Sequence, residues 1–193
     1  MAEETDIEKA IERWRKEVEE NPFDPGAHYG LGVAYGKKTM YLEAIEELRN
    51  ASKLAPSDPD IRLGLGLTYS QAGFQEEAIE QLNEAAAFAP RDPDVYASLG
   101  QVLSKVGRFD EAIAALKKAA VLRPDDRDVH YALGDAYCYQ GRFDEAEVEY
   151  RKAMRELQLE SFKRQGGAQR KGMRRLKDRL DKLSPDEPEG RSS

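Results

Sequence analysis

An all-α solenoid of antiparallel helix pairs is the fold class this sequence predicts, and three observations predict it. A pattern of small and large residues returns every 34 residues. Its apolar positions recur at helical rather than strand spacing. Proline, aspartate and glycine punctuate each period where helices begin and end. A repeat of that length cannot bury its apolar face alone, so neighbouring repeats must stack.

The stretch from Pro93 to Asp126 carries the pattern most fully. Val95, Leu99, Val102 and Leu103 form one helical stripe, Gly107 interrupts it, and Ala112, Ile113, Leu116, Ala119 and Ala120 resume it. That is one helical hairpin. Asp92 before Pro93 reads as an N-cap followed by proline in the first turn, where a missing amide hydrogen costs nothing. Gly107 can end the first helix in the left-handed conformation. Asp110 is placed to cap the second helix and Pro124 to close it.

A shift of 34 residues finds Leu31, Leu65, Leu99 and Leu133, each followed by glycine: Gly32, Gly66, Gly100 and Gly134. Ala44, Ala78, Ala112 and Ala146 form a second column, and Ala51, Ala85, Ala119 and Ala153 a third. Glycine inside a helix costs about 1 kcal/mol relative to alanine, so close helix contact is the best reason to keep it. With Tyr35, Tyr69 and Tyr137 three residues after the Leu-Gly pair, and Pro56, Pro90 and Pro124 closing the repeats, the chain resembles the tetratricopeptide repeat family over about 25–160. Leu103 departs from the tyrosine column and Thr39 from the turn glycine seen as Gly73, Gly107 and Gly141. Gln158 replaces the closing proline and predicts a last helix that runs on. The family's large aromatic near the start of each repeat is here His28, Arg62, Tyr96 and His130, so that contact should be looser or more polar.

The expected organisation is an N-terminal capping helix in 1–24, four repeats (25–58, 59–92, 93–126, 127–160), a basic amphipathic helix in 161–183 and a disordered tail in 184–193. Asp6 to Asn21 reads as a helix with Ile7, Ala10, Ile11, Trp14 and Val18 on one face, the second helix of a truncated repeat, with Trp14 as its packing residue. The charged first residues contain no apolar run, which predicts neither signal peptide nor membrane span and a cytoplasmic protein. Residues 161–183 hold nine Lys or Arg against two Asp, a net of +7, and the last ten residues carry −2. Taken from the overall −7, that leaves −12 for residues 1–160.

Met173, Leu176, Leu180 and Leu183 make an apolar stripe on the basic helix. Three readings stand for it. The stripe packs on the last repeat while the basic face meets the acidic body, with Gly166 and Gly167 as hinge. Alternatively Arg170, Lys171, Arg174 and Arg175 bind nucleic acid or an anionic surface, although only Phe162 is available there for base stacking. Self-association through the stripe is the third, short for a coiled coil.

The residues point away from catalysis. His28 and His130 hold the same place in repeats one and four, too far apart to act together, and read as packing residues. Cys138, the only cysteine, has no disulfide partner and reads as a buried or groove thiol. Gly30, Gly32 and Gly36 imitate a dinucleotide fingerprint, but no strand precedes them. Acidic clusters such as Asp125, Asp126 and Asp128 lack calcium-loop spacing. No enzyme, metal or cofactor is expected.

What remains is surface. The resemblance implies a right-handed superhelix whose first helices line a concave face. By that resemblance the inward positions are Tyr29, Val33 and Lys37, then Leu63, Leu67 and Gln71, then Ala97, Gln101 and Lys105, then Tyr131, Asp135 and Tyr139. Apolar and tyrosine side chains at non-core positions mark a partner groove, unless the capping helix or the basic tail covers them. Gly30, Gly64, Ser98 and Ala132 between them would let a ligand approach the backbone. Family members that clamp a peptide carboxylate use lysine and asparagine, and Tyr29, Val33 and Leu67 stand where those would be needed. The expectation is an adaptor or assembly factor binding an apolar helix or extended segment of a protein, with no small-molecule substrate; tail-mediated anion binding and homo-oligomer formation are the alternatives.

Overall fold

The computed structural model describes residues 2–163 together with Arg175, Asp178 and Arg179, and side chains from residue 6 to 155 and at those three. The described residues form nine α-helices and no strand. The chain divides into two compact units, Met1–Val102 and Leu103–Ser193. The first holds α1 (Ala2–Glu20), α2 (Pro25–Lys37), α3 (Tyr41–Leu54), α4 (Pro59–Ala72), α5 (Gln75–Phe88) and most of α6 (Pro93–Lys105). There α1 packs on α2, α2 on α3, α3 on α4 and α4 on α5, and α2 also touches α4. The second unit holds α7 (Phe109–Leu122), α8 (Arg127–Tyr139) and α9 (Phe143–Lys163), with α8 against both neighbours.

First helices of the hairpins begin on aspartate caps. Asp24 accepts from the Gly26 amide at 2.9 Å, Asp58 from Asp60 at 2.9 Å, Asp92 from Asp94 at 2.8 Å and Asp126 from Asp128 at 3.0 Å. Second helices begin differently. Their N-caps are Met40, Phe74 and Arg108, none with a side-chain cap bond. Asp110 is therefore not the cap that its type suggests. The preceding turn closes by backbone bonds, Phe74 N to Tyr69 O and Arg108 N to Leu103 O, both 2.9 Å. That closure spends the residue after the turn glycine on the cap position and leaves Asp110 in the first helical turn, where a negative charge still suits the dipole. Its carboxylate instead accepts from Gln140 Nε2 at 2.7 Å.

The turn requires a left-handed residue: φ is +93° at Gly73, +80° at Gly107 and +72° at Gly141. Thr39 adopts +61° at the same place, a conformation that costs an L-residue about 1–2 kcal/mol.

The alanine columns are where the helices meet. Ala44, Ala78, Ala112, Ala146, Ala51, Ala85, Ala119 and Ala153 are all fully buried. A Cβ on Gly32 would stand 2.7 Å from Leu48 Cγ, and one on Gly66 2.8 Å from Leu82 Cγ, so the Leu-Gly column is kept for close approach within the hairpin.

At the N-terminal end α1 starts at Ala2 rather than Asp6 and stops at Glu20. Ile11 is buried with Leu31, Ala34, Tyr35 and Ala44, and Ile7, Ala10, Trp14 and Val18 pack against them. At the other end α9 has 21 residues where α3, α5 and α7 have 14. With Gln158 in place of proline nothing stops the helix there.

Candidate functional site

On α2 and α4 the positions expected to line the groove alternate with core. Leu31, Gly32, Leu65 and Gly66 are buried; Tyr29, Val33 and Leu63 are half-buried; Lys37, Leu67 and Gln71 are exposed. Leu67, a large apolar group, is 39% exposed. On α6, Ala97 is half-buried while Gln101 and Lys105 are exposed. Tyr29 turns its ring onto Gly64, where an added Cβ would meet Tyr29 Cε2 at 3.1 Å. Burial, with Asp60 and Asp58 adding, pushes its phenol above the ordinary value, so it presents a neutral ring.

Gly30 does not open the backbone to a ligand. A Cβ there would lie 2.5 Å from the Trp14 ring, which occupies the surface as Tyr29 occupies that of Gly64. Arg13 caps the ring, its guanidinium 4.5 Å from the centroid. The glycines at 30 and 64 serve ring packing between helices.

In the second unit α8 carries Tyr131, Asp135 and Tyr139. Tyr139 is 72% exposed and stacks on Phe109, centroids 5.1 Å apart and planes 11° apart. Asp135 accepts from the hydroxyl of Tyr150 at 2.5 Å. Tyr150 is fully buried at the position that Leu116, Leu82 and Leu48 hold one, two and three repeats earlier. Gly134 makes room for it, since a Cβ there would stand 2.6 Å from the ring. Cys138 Sγ lies 3.6 Å from the same hydroxyl. Burial, followed by the neighbouring Cys138, pushes the Tyr150 phenol far above its ordinary value.

Arg179 reaches this cluster. Its guanidinium lies 4.8 Å from the Tyr131 ring centroid and 5.7 Å from that of Tyr150. Nη1 donates to the Tyr150 hydroxyl at 3.0 Å and pairs with the Asp135 carboxylate. Arg175 is helical and exposed. Arg170, Lys171, Arg174, the Gly166-Gly167 hinge, the stripe Met173, Leu176, Leu180 and Leu183, and the tail 184–193 lie outside the described residues.

The polar starts of the repeats are clamps. His28 Nδ1 meets Glu47 at 2.6 Å and Nε2 meets the Pro22 carbonyl at 3.0 Å. His130 repeats this with Glu149 at 2.6 Å and Pro124 at 2.8 Å. Arg62 substitutes in repeat two, donating to Pro56 O and Gln81 and pairing with Glu84. Neither histidine is free to serve as a base. The hydrogen bond from His130 to Glu149 holds the imidazole above its ordinary pKa against the opposing effect of burial. Burial would raise Glu149, but His130 and Lys152 outweigh it and hold the carboxyl low.

Sequence reasoning missed a cleft of about 650 Å3 in the first unit, lined by residues of α3, α4, α5 and the turn before α5 that include Leu42, Ile45, Arg49, Tyr69, Phe74 and Gln81. Leu42 is 69% and Phe74 43% exposed. The signal was an apolar residue, Leu42, at a second-helix position outside the alanine columns. Among the described residues no helix is long and apolar enough to cross a membrane.

Tetratricopeptide repeat profiles match residues 37–102 and 98–158. No curated protein sequence matches the chain. Among solved structures, one of MamA superposes with a TM-score of 0.77 at 26% identity, covering 83% of this chain and 94% of that one. A second, MamA AMB-1, gives 0.71 at 32% identity, covering 80% and 92%. YrrB, described as a TPR protein with an unusual peptide-binding site, gives 0.68 at 24% identity, covering 80% of each chain; at that identity the likeness is one of fold. With repeat profiles spanning 37–158 and a relative 32% identical over most of both chains, this protein belongs to the tetratricopeptide repeat family.

Proposed function

We propose that the chain is a non-enzymatic interaction scaffold that docks an apolar helix or extended segment of a partner protein on the first-helix face of its first unit. The observation that carries this reading is Leu67, 39% exposed between buried Gly66 and buried Thr68. Half-buried Leu63 lies one turn away on α4, and Val33 is at the matching place on α2. Such a row keeps apolar surface in contact with water, and apolar groups of this kind bind a partner by leaving water. Lys37, Gln71 and Gln101 would supply a polar rim. Tetratricopeptide repeats are protein-interaction scaffolds, and a partner of this kind suits the family.

The test is affinity capture with the full chain and with Leu67→Glu as baits. Partners retained by the parent and lost by the variant, at equal helicity and melting temperature, support the reading. Loss of fold in Leu67→Glu would mean that Leu67 is core, and unchanged capture would move binding elsewhere. A bait ending at residue 160 separates the alternative, in which Arg170, Lys171, Arg174 and Arg175 bind an anionic polymer or surface. Binding lost only there, and falling steeply with salt, would favour the tail.

A further inference from the structure

The second unit has a built cation site that the repeat pattern does not call for. Three repeats place leucine at the column where the fourth has Tyr150. Leucine would fill the space without the cost of burying a hydroxyl. Here that hydroxyl is aimed at Asp135, 2.5 Å away, and Tyr131 leans over the same ring, centroids 5.8 Å apart at 54°. Two aromatic faces and one carboxylate thus converge on one point, and the guanidinium of Arg179 occupies it.

The geometry suits arginine in particular. A guanidinium can lie across an aromatic face while its in-plane N–H groups donate sideways, and here Nη1 serves the Tyr150 hydroxyl and Asp135 together. A lysine ammonium is a point charge with a tight hydration shell and cannot cover two rings and reach the carboxylate at once. The occupant comes from the segment 161–183, whose net charge is +7, set against the −12 of residues 1–160. Residues 103–160, which carry the site, account for only −2 of that −12, so general charge attraction toward this surface is weak, and of the nine basic side chains the cage holds Arg179.

We propose that Tyr131, Asp135 and Tyr150 form a guanidinium-binding site, that Arg179 is its intramolecular occupant, and that a partner protein is recognised there by an arginine on a helical segment that displaces Arg179. The C-terminal segment is then a tethered competitor. Only the last step rests on the scaffold reading above; occupancy by Arg179 does not.

The experiment uses the full-length chain and, as probe, a fluorescent synthetic peptide of residues 168–183. In the parent the tethered Arg179 competes at an effective concentration on the order of mM, so Arg179→Ala binds the peptide about tenfold or more tighter than the parent does. A peptide carrying Arg179→Lys loses that gain. The double variant Arg179→Ala with Asp135→Asn loses it as well, at unchanged helicity. Equal affinity of parent and Arg179→Ala would overturn the proposal, and so would a lysine peptide that binds as well as the arginine one, which would mean charge attraction without a cage. Leu67→Glu plays no part in this comparison, so the first-unit reading and this one can fail separately.

Discussion

The same substitution, glycine to alanine, is expected to act with opposite sign at Gly66 and Gly36, two helical positions of one compact unit. Alanine gains about 1 kcal/mol of helix propensity over glycine in a helix interior. At Gly36 an added methyl meets nothing within 4 Å, so most of that gain should remain, about 0.5–1 kcal/mol given its place near the end of α2. At Gly66 the methyl would stand 2.8 Å from Leu82 Cγ and 3.3 Å from the Ala78 carbonyl oxygen. Leu82 is fully buried, and the contact is with its branch carbon, so it cannot swing aside without moving α5. Overpacking of this kind costs about 1–3 kcal/mol, which leaves Gly66→Ala destabilised by roughly 1 kcal/mol net. Urea titration followed by ellipticity at 222 nm measures both on the same transition, and the midpoints should move in opposite directions by a total of about 2 kcal/mol once multiplied by the common slope. Equal shifts at the two sites would refute the reasoning, because they would mean that α4 and α5 do not approach as closely as the Leu-Gly column implies.

Thr39→Gly should raise stability by about 0.5–1 kcal/mol, since relief of the left-handed strain outweighs glycine's extra chain entropy; thermal unfolding checks it, and a loss would mean that the Thr39 hydroxyl bond to the Lys38 carbonyl, 2.6 Å, matters more than the backbone. The clamp of His130 and Glu149 predicts a pH window. His130 is raised above 6.5, so its contribution is complete below 6.5 and fades as pH rises through the higher folded value. Glu149 is lowered below 4.5, so its contribution is complete above 4.5 and fades as pH falls through the lower folded value. The melting-temperature advantage of the parent over His130→Gln should therefore be largest between those limits and shrink toward pH 8; a difference independent of pH would show that the pair contributes by packing alone.

The hairpins were legible because their signals are local. Asp92 before Pro93, glycine at 73, 107 and 141, and alanine at 44, 78 and 112 each state their role within a few residues. Periodicity also marked Thr39 and Gln158 as exceptions, and both have structural consequences. Contacts between helices at no fixed separation were not legible. Gly30 reads the same in sequence whether a ligand or the Trp14 ring lies on it, and only the fold supplies the ring. Asp110 has the right residue type for a cap, but the backbone closure at Arg108 fixes the cap position first. Tyr150 was visible as a departure from the column of Leu48, Leu82 and Leu116. Its meaning depends on Asp135 and Arg179, fifteen residues before it and twenty-nine after.

Trp14 is the only tryptophan in the chain, and it is pressed against the Gly30 backbone under the Arg13 guanidinium. Its emission therefore reports on the first compact unit alone, while the stacked Tyr139 and Phe109 and the caged Tyr150 belong to the second. Excitation at 295 nm selects the indole, so a denaturation curve read at that wavelength traces the N-terminal end only. Its separation from the curve read by helical ellipticity measures how strongly the two units unfold as one.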